Sequence, residues 1–202
     1  MKPALLAGSL LLVAACAPAP RSTPSPPAPP PPVSTAPPAA PPSQTQPAPP
    51  PPSLRPAPWS GERLAAGAVP GVFAAEWRRA ENRATCALVA PASLGEGAGA
   101  TPRAATFSGG WAVAYDRPGL RSAFGVAGTG SRASDPSYDE WPHRRAWADG
   151  SSAGYGPEGG TGPNQLAYLR VQGQDCLYNV WSNLGRAHLE HLLENLRFVD
   201  VR

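Results

Sequence analysis

The sequence has few of the features that identify common functional classes directly. It contains only 3 cysteines and 1 methionine, it has no C-x-x-C pair, and 7% of its residues are aromatic. It also has no run of roughly 20 apolar residues, the length that a membrane-spanning helix requires. Beyond residue 58 the arginines equal the acidic residues in number and form no basic run. A nucleic-acid partner is not expected, because such binding needs a cationic footprint on the folded part of a chain.

The first residues have the pattern of a processing signal. Lys2 is followed by an uncharged Leu- and Ala-rich stretch from Ala4 to Ala15, which ends at Cys16. A cationic start with an apolar core of roughly 7–15 residues is typical of a secretory signal. Residues 1–15 are therefore predicted to be a signal peptide.

Val13-Ala14-Ala15-Cys16 resembles the lipobox of bacterial lipoproteins. The resemblance implies cleavage by signal peptidase II and acylation of Cys16, so that acyl chains such as palmitate bind the membrane. Two or more acyl chains on one residue give stable anchoring. Ala17 stands where enteric lipoproteins retained in the inner membrane have aspartate, so the resemblance favours the outer membrane, with the domain in the periplasm or at the cell surface. The alternative is an ordinary signal peptide in which Cys16 is incidental.

Residues 16–58 are predicted to be a lipidated cysteine followed by a disordered stalk. Most of the 29 prolines of the chain lie in this segment, with Ala, Ser, Thr and Gln between them. Proline lacks an amide donor and fixes φ, so helices and central strands are excluded, and the low hydrophobicity leaves no core. The segment should be extended polyproline II, which suits a spacer; a ligand for an aromatic groove is the alternative.

Residues 59–202 have the length of a single domain. Cys86 and Cys176 are its only cysteines, and in an exported chain they indicate one disulfide that closes a loop of about 90 residues. Two free thiols are the alternative.

The hydrophobic pattern of this domain predicts an α+β fold, with an antiparallel sheet, a short N-terminal helix and a C-terminal amphipathic helix packed on it. The helix candidates are 73–80 and 184–196, the second with a stripe of leucines and with Ser182-Asn183 as its N-cap. The strand candidates are 85–90, 104–107, 111–115 and 121–127, followed by a hairpin of 166–171 and 176–181. The element order faintly resembles PsbP/Mog1-like domains, which implies no function.

No catalytic, metal or cofactor motif is supported by its context. Residues 150–154 spell G-x-S-x-G and residues 154–159 spell G-x-G-x-x-G, but neither run can begin the helix that its motif requires. The last predicted helix carries four possible zinc ligands: His188, Glu190, His191 and Glu194. We favour a solvated polar face, with His188 at the edge of the leucine stripe, over a zinc site. We expect no catalytic residue, no metal and no cofactor.

A long irregular loop is predicted from residue 128 to residue 164. Loops of this length are usually functional or disordered, and aromatic and arginine side chains are enriched at binding hot spots. The candidate binding surface comprises Tyr138, Trp141, His143, Arg144, Arg145, Trp147 and Tyr155. The alternative is that these side chains pack on the domain.

Together these features predict a lipid-anchored envelope protein. Its domain would be a non-catalytic binding or accessory module for an envelope protein or for peptidoglycan. The alternative is an envelope hydrolase with a site assembled from scattered residues, of which Ser152 with His188 or His191 is the first candidate pair.

Overall fold

The computed structural model describes residues 54–107, 109–134, 141–160 and 162–201. The signal peptide, Cys16 and nearly all of the proline-rich stalk lie outside the described residues, as does Tyr138 of the candidate surface. Within the described ranges, no helix is long and apolar enough to cross a membrane.

The fold is α+β, as the hydrophobic pattern predicts. The helices are α1 (Gly71–Arg79) and α2 (Arg186–Asn195). The strands are β1 (Leu64–Ala65), β2 (Val89–Pro91), β3 (Thr101–Ala104), β4 (Trp111–Arg117), β5 (Leu120–Gly128), β6 (His143–Ala146), β7 (Ser152–Pro157), β8 (Gln165–Arg170), β9 (Leu177–Ser182) and β10 (Leu196–Asp200). Seven strands form an antiparallel sheet in the order β3-β4-β5-β9-β8-β7-β6. A smaller sheet has the order β1-β10-β2, in which β1 runs parallel to β10.

Both helices pack on one face of the large sheet. Phe73 of α1 is buried and contacts Tyr115 of β4, with 6.2 Å between the ring centroids. The predicted leucine stripe is buried throughout: Leu189, Leu192 and Leu193 lie in α2, and Leu196 lies at the start of β10. Because strand residues alternate between faces, the inward positions of β4, β5, β8 and β9 meet these helices and form the core.

The start of α2 differs from the prediction. Ser182 and Asn183 do not cap the helix, since its N-cap is Gly185 with φ 97°. Ser182 instead ends β9, and its hydroxyl accepts from the Leu184 amide and pairs with His188 Nδ1 at 2.8 Å. Gly185 is needed because only glycine adopts such a φ without strain. His188, predicted at the edge of the stripe, is fully inside it at 2% exposure.

The predicted loop between residues 128 and 164 is wrong in part, because it contains β6 and β7. The β7 sequence is Ser-Ala-Gly-Tyr-Gly-Pro. It predicts irregular structure, because glycine and proline disfavour strands. Here Gly156 allows close approach instead, since a Cβ on it would lie 2.5 Å from Pro142 Cγ.

Two strands are shifted from their predicted positions. The segment predicted at 85–90 forms only β2, which belongs to the small sheet and begins three residues after Cys86. The strand predicted at 104–107 lies at β3 and ends at Ala104, after which the Ala105 amide still donates to Ala112 O. The strands at 111–115 and 121–127 and the hairpin are confirmed to within a few residues as β4, β5, β8 and β9.

The disulfide joins Cys86 and Cys176, whose Cα atoms are 5.4 Å apart. Both residues are buried. Neighbouring hydrogen bonds hold the same two segments together: Gln174 Oε1 accepts from the Ala87 amide at 2.7 Å, and the Asp175 amide donates to Thr85 O. The bond therefore ties the chain before β2 to the β8–β9 hairpin.

The packed domain begins before residue 59. The Trp59 indole donates to Asp149 Oδ2 at 2.9 Å, and its ring meets Trp147 edge-on with 4.8 Å between centroids. The Ala148 amide donates to Arg55 O at 2.9 Å. These interactions, called the Trp59 clasp below, connect the start of the described chain to the β6–β7 turn.

Candidate functional site

The candidate surface predicted around β6 is divided by the sheet. In register, His143 pairs with Tyr155 and Arg145 with Ala153, while Arg144 lies on the opposite side. Since successive strand residues point to opposite faces, His143, Arg145 and Tyr155 face α2. Trp141 and Arg144 share the other face. The structure therefore does not bring the described members of the candidate surface together.

The residues of this set that face α2 are engaged in packing. Tyr155 donates to Glu190 Oε1 at 2.9 Å, and burial followed by this hydrogen bond raises its pKa. Arg145 forms an ion pair with Glu194, and His143 Nε2 lies 3.2 Å from Arg186 Nη1. Trp147 is 1% exposed and belongs to the core. For Trp147 and Tyr155 the packing alternative is the one observed.

The face of the large sheet opposite α1 and α2 is called the helix-free face, since neither helix packs on it. Its central positions include Ala112, Gly125, Asn179, Tyr168, Gly154 and Arg144. A cleft with a volume of about 390 Å³ lies on this face, floored by β8 and β9 and walled by the β3–β4 and β7–β8 connections. Its aromatic lining is Phe107, Tyr168 and Trp181, and its polar lining includes Ser122, Asn179 and Asn183.

The six-membered ring of Trp181 packs against the glycine beside it on β5, which leaves room for the ring at the floor of this cleft. Gly125 pairs with Trp181, and a Cβ on Gly125 would lie 2.2 Å from Trp181 Cζ2. The indole N–H donates to Ser122 O at 3.3 Å, which fixes the edge of the ring. These two contacts hold the ring in place where it lines the cleft.

Ser122 occupies an irregular point of the β4–β5 pair. The register shifts between Tyr115 and Arg117, and Ser122 has φ 52°, the only positive φ among the described non-glycine residues. Asp116 holds this geometry: its Oδ1 accepts from the Ser122 amide at 2.7 Å, and both carboxylate oxygens accept from Arg103. The Ser122 hydrogen bond, with further help from Arg103, lowers the pKa of Asp116.

This bulge shapes the cleft directly. Ser122 O accepts from Asn183 Nδ2 at 3.1 Å as well as from Trp181. Bulges and strained backbone conformations occur preferentially near functional sites, where they redirect neighbouring groups. Here one carbonyl positions two cleft-lining side chains.

Asn179 is the unusual residue of the cleft. It is 8% exposed, and its Oδ1 is buried without a hydrogen-bond partner. A buried acceptor left unpaired costs about 1–3 kcal/mol. Native proteins satisfy nearly all such atoms, so each exception requires an explanation. Asn179 therefore lines the cleft with a side chain whose acceptor oxygen is enclosed by the protein itself.

A second hollow of about 320 Å³ adjoins the cleft through Tyr168, which lines both. Its lining includes Arg144, Arg170 and Ser152. Trp141 packs against Tyr168 with 5.6 Å between ring centroids, and Gly156 leaves room for it. Trp141 and Arg144 of the predicted surface thus lie beside the cleft.

The serine and histidine pair named for a hydrolase is not formed. Ser152 lies on the helix-free face, while His188 and His191 belong to α2 on the other face. His188 instead pairs with Ser182 and, through Nε2, with Leu94 O at 3.0 Å. Both side chains are buried, and burial lowers the pKa of His188, so this pair has a structural role.

His191 forms a second contact with a serine, at the surface. Its Nε2 lies 3.1 Å from Ser93 Oγ and 3.5 Å from Asn195 Nδ2. Nucleophilic catalysis requires a base that is itself oriented by a third group on its other nitrogen. Both contacts of this ring are made through the same nitrogen, Nε2, so they do not build that arrangement.

The polar residues of α2 do not converge on a metal site. Glu190 binds Tyr155, Glu194 binds Arg145, and His191 contacts Ser93. In the described part of the chain, no group of three or more His, Cys, Asp or Glu side chains is placed to hold a metal ion.

No family model matches the chain, no curated protein is similar to it, and no solved structure matches its fold. The resemblance of its element order to PsbP/Mog1-like domains stays a prediction.

The cleft residues were missed by the sequence analysis although a signal for them exists. Placing Tyr178 and Val180 in the core assigns Asn179 and Trp181 to the opposite face. A tryptophan and an asparagine on that second face already indicate a polar, aromatic surface.

Proposed function

We propose that the chain is a lipid-anchored protein of the bacterial envelope whose folded domain is a non-catalytic binding module. The lipobox resemblance at Cys16 supports the anchor, and the proline-rich segment supports a spacer between anchor and domain. The helix-free face supports the binding role. The proposed partner is an envelope protein or peptidoglycan, bound in the cleft at Tyr168, Asn179 and Trp181.

The observation that carries the binding role is the cleft of about 390 Å³ on the helix-free face. Half-buried Tyr168 and Trp181 line it beside the amide side chains of Asn179 and Asn183. Ligand sites combine apolar and aromatic walls with a few positioned polar groups, as this cleft does.

The binding role is tested by in-cell cross-linking of the full chain, affinity purification and peptidoglycan co-sedimentation. Tyr168→Ser removes an aromatic wall of the cleft. Phe198→Ser is the matched control, because Phe198 is also a half-buried aromatic on a strand but belongs to the small sheet. A partner or a cell-wall interaction lost only with Tyr168→Ser supports the proposal. Interactions that survive Tyr168→Ser in a folded protein overturn the cleft as the binding site.

The anchor is tested separately by labelling and by the size of the chain. Cys16→Ala should abolish labelling by a palmitate analogue and leave the signal peptide uncleaved, because signal peptidase II cleaves before the acylated cysteine. A Cys16→Ala protein that is still labelled or still shortened contradicts lipidation at Cys16.

The competing hydrolase proposal now depends on Ser93 and His191. A fluorophosphonate probe labels activated serines covalently. Labelling that is lost in Ser93→Ala and in His191→Gln would support an enzyme and overturn the non-catalytic role. We expect no labelling, because both contacts of His191 use Nε2.

A further inference from the structure

We infer that the hollow beside the cleft is a second site, which binds a carboxylate or phosphate group between the side chains of Arg144 and Arg170. The hollow has a volume of about 320 Å³ and lies on the helix-free face, over β6, β7 and β8. This site goes beyond the proposed function, because the hollow can bind an anion whether or not the cleft binds a partner. Its support comes from the small residues of its floor, the placement of the two arginines and the exposure of Arg144.

The hollow exists because its middle strand carries small residues. On the helix-free face, β7 presents Ser152 and Gly154, and Ala146 of β6 lies beside Ser152. Longer side chains stand on both sides, with Arg144 on β6 and Arg170 on β8. Gly154 has no side chain and Ser152 has a short one, so space remains over β7 between the two arginines. The Ser152 hydroxyl provides a hydrogen-bond donor at the floor of this space.

The two arginines flank this space at a separation that suits a single anion. Arg144 pairs with Gly154, which in turn pairs with Tyr168 of β8. Arg170 lies two residues beyond Tyr168 and therefore shares its face. Because β7 separates β6 from β8, the backbones of these two strands are roughly 10 Å apart. Arginine side chains that extend from both strands can approach one anion from opposite sides.

The chemistry of arginine selects the ligand. A guanidinium group is always charged, and it presents its N–H donors in a planar fork that fits two oxygens of a carboxylate or phosphate. Arg144 is exposed, so its guanidinium is accessible to a ligand. An anion in the hollow gains this attraction, whereas an apolar or cationic ligand does not.

The other two arginines of the lining have different roles. Arg145 faces α2, where Glu194 pairs with it, so its charge is balanced on the other side of the sheet. Arg170 is half-buried and already interacts within the chain. Arg144 is therefore the residue at which the site can be altered with the least effect on the fold.

The test is a titration of the full chain with inorganic phosphate and, separately, with acetate, at constant ionic strength. Binding is followed through the backbone amide resonances of Ser152 and Gly154 in NMR spectra. We expect at least one of the two anions to shift these resonances to saturation. Acetate binding identifies a carboxylate as a ligand group, and binding of phosphate alone identifies a phosphate group.

Two substitutions of Arg144 measure its part in the site. Arg144→Gln should weaken binding by at least about tenfold, since hydrogen bonds to a charged group are worth about ten- to a hundredfold in affinity. Arg144→Lys keeps the charge and loses the fork, so it should weaken binding less. Arg78→Gln is the matched control, because Arg78 is also an exposed arginine but belongs to α1, which packs on the opposite face of the sheet. Its affinity should equal that of the unaltered chain.

Other outcomes overturn the inference. Saturable shifts that Arg144→Gln leaves unchanged place the anion elsewhere. Equal weakening by Arg144→Gln and Arg78→Gln shows an effect of net charge and no site in the hollow. The absence of a shift with either anion refutes the anion site. If cross-linked partners are still lost with Tyr168→Ser in that case, the proposed function stands.

Discussion

Replacing Gly125 by alanine tests how the cleft is built. The new Cβ would lie 2.2 Å from Trp181 Cζ2 and 2.5 Å from Val113 O. The tryptophan ring can move, but the carbonyl belongs to the β4 backbone, so the strands must also separate. Overpacking of this kind costs about 1–3 kcal/mol. We therefore expect the free energy of unfolding to fall by about that amount.

The assay is urea unfolding followed by circular dichroism, with an unchanged dependence on denaturant. Gly67→Ala is the control, since a Cβ there meets nothing within 4 Å and φ is not positive. It should be neutral or slightly stabilising, because alanine restricts the unfolded chain. The indole N–H resonance of Trp181 should also shift in Gly125→Ala. Equal stability of the two variants, with Trp181 undisturbed, would refute the account of the cleft floor.

Three further predictions concern stability. Replacing Cys86 and Cys176 together by alanine should lower the free energy of unfolding by about 2–5 kcal/mol, as measured by urea unfolding without reductant, and a change below about 1 kcal/mol would contradict a formed disulfide. Leu192→Ala should cost about 2–5 kcal/mol in the same assay, since the side chain is 2% exposed, whereas a small loss would place α2 off the sheet. Burial lowers the pKa of His188 in the folded chain, so near the ordinary histidine pKa of about 6.5 the unfolded chain binds more protons than the folded chain. The free energy of unfolding should therefore fall as the pH is lowered from 7.5 to 5.5, by at most about 1.4 kcal/mol per pH unit. His188→Gln should remove this dependence, and an unchanged slope would assign it to other groups.

Local patterns predicted the elements whose burial follows a simple period. The leucines of α2 repeat at helical spacing, and Trp111, Val113 and Tyr115 alternate on β4, so both elements lie where the sequence indicates. The hairpin of β8 and β9 is confirmed for the same reason.

The strands that the sequence did not predict depend on contacts between residues far apart in the chain. β7 contains two glycines and a proline, yet it pairs with both β6 and β8. Gly156 leaves room for Trp141 and Pro142, contacts that no local pattern encodes. The two-residue β1 pairs with β10, which is more than 130 residues further along the chain.

The cleft could be predicted only in part. Alternation along β9 assigns Asn179 and Trp181 to one face. The place of the Trp181 ring depends on Gly125 across the strand pair, and the bulge at Ser122 depends on Asp116 and Arg103. The first relation joins residues far apart in the sequence, and the second consists of hydrogen bonds that hydrophobic periodicity does not encode, so only the folded chain shows them.

The Trp59 clasp has a mechanical consequence. Any tension transmitted along the preceding segment reaches the domain at Arg55 and is resisted first by the bonds to Ala148 and Asp149. The ring contact between Trp59 and Trp147 connects these bonds to the buried core. Rupture there would release the chain before β1 without breaking a hydrogen bond between the strands of the large sheet. The Trp59 clasp would thus be the first part of the domain to open under tension.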